Sequence, residues 1–149
     1  MNQIFETYLL SLSKTYRGGE GTEHSGRGAL ETLLKAVALS GDPKLHVQHE
    51  MGKEGDKGAP DFRIMTSGQI VGYVENKKIG EKLSAILKTE QIKKYRALSN
   101  NLILTNYLDF MWIDGDTIHP TASLAHEADI EYGKAKLKPE SAAAVEKLS

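Results

Sequence analysis

Residues 58–78, GAPDFRIMTSGQIVGYVENKK, restrict the fold more than any other stretch of this chain. Phe62, Ile64 and Met65 precede Thr66-Ser67-Gly68-Gln69, and Ile70, Val71, Tyr73 and Val74 follow. Two short apolar runs around a tight turn read as a β-hairpin. Asp61 stands where the first strand begins, and Glu75 and Lys77 stand two apart where the second ends. Side chains alternate along a strand, so Glu75 and Lys77 project from one face.

The register decides whether Asp61 joins them, because residues opposite each other across an antiparallel pair share a face about 5 Å apart. A turn centred on Gly68, in a three- or five-residue loop, sets Asp61 opposite Glu75. A two-residue Ser67-Gly68 turn sends Asp61 to the other face unless a bulge intervenes. Two carboxylates that close repel, which raises one pKa unless a cation lies between them. A divalent ion answers that charge, and an all-oxygen set suits magnesium or manganese.

The rest of the chain supplies layers for this hairpin. Ile4, Tyr8, Leu9 and Leu12 fall at helical spacing within residues 1–16, and Arg17-Gly18-Gly19-Glu20-Gly21 breaks the pattern. Thr22 to Ser40 carries Ala29, Leu30, Leu33, Leu34 and Val37 on one side, the stripe of a helix packed on a sheet, and Gly41-Asp42-Pro43 ends it. Leu45, Val47 and His49 alternate with polar residues as a first strand, followed by a glycine- and charge-rich loop to Gly58. Ile79 to Lys88 reads as a loop or broken helix, and Thr89 is the N-cap of a helix to Ser99. Leu102-Ile103-Leu104 is an apolar run expected of a strand covered on both faces, and Leu108–Ile113 and Thr117-Ile118 read as further strands. From Pro120 the pattern weakens. A helix from Glu140 to Leu148 has little to pack on, so 120–149 reads as an extension or the start of a linker.

The predicted order is helix, three strands, helix, strand. It matches the αβββαβ core of restriction-endonuclease-like α/β folds, a mixed central sheet flanked by helices. Pro60-Asp61, thirteen residues, then Glu75-Asn76-Lys77 resembles the motif of the PD-(D/E)xK nuclease superfamily. Gln91-Ile92-Lys93-Lys94-Tyr95 resembles the QxxxY helix motif of its helicase-linked exonuclease branch. A wider similarity, through TEHSGRGALETLL, GAPDF, GYVENKKIGEKL, EQIKKYR and NLILTNYLDFMWI, covers roughly residues 22–113. Those segments resemble the N-terminal nuclease domain of single-polypeptide type I (type ISP) restriction–modification enzymes, in which helicase and adenine-methyltransferase domains follow the nuclease. The chain departs from that pattern at polar Asn76 and at the glycines of Ser25-Gly26-Arg27-Gly28.

The resemblance implies a Mg2+-dependent endodeoxyribonuclease, with Mn2+ as a substitute ion, in one domain over residues 1–149 with its core at about 22–118. Asp61, Glu75 and the main-chain carbonyl of Asn76 would hold the metal, and Lys77 would bind the attacking water or the developing charge. Glu23, in the TEH segment, would assist the metal. Gln91 would reach water or phosphate, and Tyr95 would steady the site or the DNA. Lys78, Lys93 and Lys94 would contact DNA. Each residue also has a plainer reading: a surface Glu75–Lys77 ion pair worth at most about 1 kcal/mol, an acidic residue favoured at a helix start, a core-facing Tyr95, or a solvated basic helix face. Other functions open to the same residues are a non-cleaving DNA-binding or assembly module, or a free-standing nuclease or resolvase.

Composition narrows the remaining classes. Nineteen Lys and Arg against twenty Asp and Glu give no overall basic charge, so a DNA surface has to be local, and the stretch from Lys77 to Arg96 offers one. No cysteine is present, which excludes disulfides and thiolate metal sites and fits a reducing cytoplasm. No apolar run approaches the roughly 18 residues that span a bilayer. No phosphate-cradling glycine motif is visible, so ATP-driven chemistry has to reside in fused or associated modules. Two copies of the domain are expected where both strands are cut.

Overall fold

The computed structural model describes residues 2–16, 25–49 and 59–127. Helices α1 (Asn2–Tyr16) and α2 (Arg27–Gly41) come first, then strands β1 (Leu45–His49), β2 (Phe62–Thr66) and β3 (Gln69–Asn76). One helical turn, α3 (Leu83–Ile86), and helix α4 (Glu90–Leu98) lead to β4 (Asn101–Thr105), β5 (Asp109–Asp114), β6 (Thr117–Ile118) and β7 (Ala122–Ser123). The sheet runs β1-β2-β3-β4-β5-β6, with β7 also paired to β5. β3 and β4 are parallel and every other pair is antiparallel, so the sheet is mixed.

Each face of the sheet carries one helical layer, as the alternation of its strands requires. Phe62, Val74, Ile103 and Phe110 pack with Phe5, Leu9 and Leu12 of α1 and Leu30, Leu33 and Val37 of α2. On the opposite face Leu102, Leu104, Met111 and Ile113 meet Leu83, Ile86, Ile92 and Tyr95. β4 therefore buries both faces, as its apolar run predicts. Thr89 caps α4 by accepting a hydrogen bond from the Ile92 N–H at 3.4 Å.

One helix start differs from the sequence reading. The second helix begins at Arg27, not Thr22; Ser25 and Gly26 form a turn before it, and residues 22–24 lie outside the described residues. Gly26 is required there by contact, since a Cβ on it would stand 2.9 Å from both the Leu12 methyl and the Tyr107 ring. The helix expected at residues 140–148 also lies outside the described residues.

The hairpin resolves the register question. Ser67 and Gly68 form a two-residue turn with φ of 50° and 78°, the doubly positive geometry of a type I′ turn. Near the turn Thr66 pairs with Gln69 and Met65 with Ile70, a register that carried through would set Asp61 opposite Val74. A bulge between Ile64 and Met65 shifts the ladder by one, so Ile64 pairs with Gly72 and Phe62 with Val74. The next position out places Asp61 beside Glu75.

Candidate active site

β2 and β3 deliver their acidic residues to one corner of the sheet, beside the end of parallel β4. The Asp61 N–H donates to Glu75 Oε1 at 3.1 Å, and the Asn76 N–H donates to Asp61 Oδ2 at 2.9 Å. Each carboxylate is thus held by a backbone N–H of the facing segment, Glu75 by that of Asp61 and Asp61 by that of Asn76. Glu75 is 3% exposed. Burial, then the hydrogen bond and charge of Asp61, push its carboxyl from 4.5 up to about 9, against an opposing pull from Lys77.

Lys77 faces the same side. Its Nζ lies 3.5 Å from Glu75 Oε2 and donates to Gln91 Oε1 at 2.7 Å. Gln91 Nε2 in turn donates to the Tyr95 hydroxyl at 3.2 Å, and that hydroxyl donates to the Ala59 carbonyl at 3.1 Å. Positions four apart on α4 thereby tie the lysine to the chain entering β2. Tyr95 is 1% exposed, so the direct DNA contact expected of it is corrected: its ring belongs to the core and its hydroxyl supports Gln91.

The opposite layer contributes a residue that the sequence reading passed over. Arg27, first in α2, pairs its Nη2 with Asp61 Oδ1, and its Nε donates to Asn76 Oδ1 at 3.3 Å. The Asn76 amide is anchored on its other side, donating to the Tyr107 hydroxyl at 2.8 Å. Tyr107 is fully buried at φ 78°, a left-handed conformation that costs an aromatic residue free energy and needs its surroundings to impose it. The Tyr8 hydroxyl, which donates to the Tyr107 carbonyl at 2.7 Å, is one such constraint. The sequence clue to Arg27 was its place in the TEHSGRG segment; nothing in its spacing marked it.

Of the other expected residues, Lys78 and Lys94 are exposed. Lys93 pairs with Glu90 at 3.1 Å and lines a polar cleft with Arg96 and Asn100, on the side of α4 opposite Gln91. The structure does not bring Lys93 to the carboxylates. Glu23 lies outside the described residues. Among the described residues no three Asp, Glu, His or Cys side chains gather closely enough to enclose a metal. Asp61 and Glu75 form a smaller set of two carboxylates. It fits a magnesium-type ion, which is usually held by one or two carboxylates and keeps its remaining positions for water and phosphate. The raised pKa of Glu75 comes first from its burial and then from the neighbouring Asp61.

Helix layers on both faces, a mixed sheet and this strand order define a restriction-endonuclease-like α/β fold. No family model and no curated protein matches the chain. Among solved structures it is similar to a chain of the cryo-EM structure of a DrdV–DNA complex, with a TM-score of 0.71 at 20% identity over 99% of this chain. The chain spans 14% of the length of the one it matches. At that identity the likeness speaks to fold. Among the described residues no helix is long and apolar enough to cross a membrane.

Proposed function

We propose that this chain is a Mg2+-dependent endodeoxyribonuclease domain, the cleavage module of a restriction–modification enzyme. The observation that carries the proposal is the bulged register, which gathers Asp61, Glu75 and Lys77 at one corner although the turn alone would separate them. A bulge that re-aims one side chain is the kind of local irregularity found next to active sites.

In this reading Asp61, Glu75 and the Asn76 carbonyl hold the ion, with Mn2+ as a substitute. A divalent ion supplies charge neutralisation for the phosphate and a lowered pKa for water. Lys77 does the chain's own chemical work. Its ammonium donates to Gln91 and stands 3.5 Å from Glu75, which fixes it in place, and with three N–H donors it can also serve the attacking water or a phosphoryl oxygen. Gln91 and Tyr95 hold that ammonium in place, because the lysine's flexible stem would otherwise sample many rotamers. Glu75 has to lose its proton for the site to fill, which makes loading easier as pH rises.

The matched structure is a complex with DNA, which supports DNA as the substrate here, with Lys78 and Lys94 as backbone contacts. Its much greater length supports further modules beside this domain, and by the type ISP resemblance these would be helicase and methyltransferase. Cutting both strands then takes two copies.

The test is nicking of supercoiled plasmid in Mg2+, with calorimetric titration of the same samples. Asp61→Ala is expected to abolish metal binding and nicking, and Lys77→Ala to abolish nicking while binding persists. Full nicking by either variant refutes the assignment.

A further inference from the structure

One side chain at the site is a cation that neither strand supplies. Arg27 reaches across from α2 and holds two acceptors of different character, the Asp61 carboxylate through Nη2 and the Asn76 amide oxygen through Nε. The amide is a fixed post, pinned from behind by the buried Tyr107 hydroxyl. The carboxylate is a ligand that a metal would claim. We propose that Arg27 is a built-in counter-cation that competes with the divalent ion for Asp61, and that on release it stays tethered to Asn76 and takes a phosphate oxygen of the DNA. This inference rests on the nuclease reading and adds to it an order of events: the empty site is closed by its own arginine, and loading converts that arginine into a substrate contact.

Four features support it. Arg27 is partly exposed, with 24% of its side chain open to solvent, so its guanidinium can turn outward without unpacking the helix layer. A guanidinium forks to two acceptors at once, so Nε can keep Asn76 while Nη2 changes partner. Its backbone is held separately, because Gly26 beside it packs against the Tyr107 ring and Leu12. Carboxylate and phosphate oxygens present the same geometry to arginine, which makes the exchange one of like for like.

The measurement is Mn2+ binding by calorimetry to the full chain without DNA, comparing wild type with Arg27→Ala, Arg27→Gln and Arg27→Lys. Thermal melts in EDTA establish that each variant is folded. The Ala and Gln variants are expected to bind Mn2+ about tenfold more tightly, within the usual range of coupling between competing occupants of a site. Lys keeps the charge and should stay near wild type. In Ca2+, affinity for a short DNA duplex should fall in Ala and Gln despite the better loading.

Mn2+ affinity unchanged or weaker in folded Ala and Gln variants overturns the competition. Should Arg27→Ala fail to fold, the Gln and Lys variants decide by the same criterion. Failure of the underlying reading looks different: Mn2+ binding that Asp61→Ala does not remove, or none in any variant, overturns the metal site and the competition with it. Binding that Asp61→Ala abolishes and that Arg27 leaves untouched overturns the competition alone. Binding that appears only once Arg27 is replaced supports it.

Discussion

Glutamine in place of Glu75 isolates the electrostatics of the carboxylate pair. In the folded protein the Glu75 carboxyl is pushed from 4.5 up to about 9, while the unfolded chain leaves it at its ordinary value. Between those values the native state holds a proton that the unfolded state lacks. The stabilisation is complete below the unfolded pKa and is lost as pH rises through the folded one. Unfolding free energy should therefore fall by up to about 1.4 kcal/mol per pH unit across that window. From about pH 6 to about pH 8 the loss reaches about 3 kcal/mol, equivalent to roughly 5–10 °C in Tm for a chain of this size. Glu75→Gln keeps an oxygen to accept the Asp61 N–H and carries no proton to lose, so its stability should be flatter over the same range. Thermal or urea unfolding in EDTA at a series of pH values measures both slopes, and their difference removes the contribution of all other titrating groups. Equal slopes in the two proteins refute the claim that Glu75 is protonated in the empty site.

The supporting residues make further predictions. Tyr95→Phe removes the hydroxyl between Gln91 and the Ala59 carbonyl, and should lower nicking by about tenfold or more while Mn2+ affinity is retained, as for other outer-shell partners. Loss of metal binding in that variant would refute the role given to the Gln91–Tyr95 pair. Gly26→Ala should destabilise by about 1–3 kcal/mol in urea unfolding, because its methyl would press on a tyrosine ring anchored at both ends. Lengthening the turn between Ser67 and Gly68 should leave nicking intact, since the bulge and not the turn sets the register at the acidic end; loss of activity in a folded variant would refute that separation.

Much of this architecture is visible in the amino acids because it rests on local repetition. The alternation in Leu45–His49, the apolar run Leu102-Ile103-Leu104 and the stripe through Leu30, Leu33 and Val37 each report a face covered by something, and the faces fix the layers. Glu75 and Lys77 share a face for the same reason. Features that depend on a single irregular residue are not visible. Ile64 and Met65 would serve equally in a regular strand; the extra residue is Val71 on β3, and Gly72 beside it is the one local mark of the bulge. Arg27 looks like any solvated residue opening a helix, and its partner Asp61 lies 34 residues away. The positive φ of Tyr107 belongs to the turn between β4 and β5, where the Thr105 hydroxyl accepts from the Tyr107 N–H and the Asn106 side chain accepts from the N–H groups of Leu108 and Asp109. Tyr95 was legible as core-facing or as a DNA contact, and its burial decides between them.

The one-residue shift between β2 and β3 also changes how the spacing between the two carboxylates should be counted. Thirteen residues separate Asp61 from Glu75, an odd spacer that a flush hairpin on a two-residue turn would answer by presenting valine to the aspartate. The parity of the spacer and the presence of the bulge are therefore one property. A relative that deletes a residue from this hairpin can keep the pair together only if it also straightens the strand, and one that inserts a residue must add a second offset or widen the turn. A search for such sites by fixed intervals along the chain will pass over the variants that make this exchange, whereas a search by which residues end up paired will not.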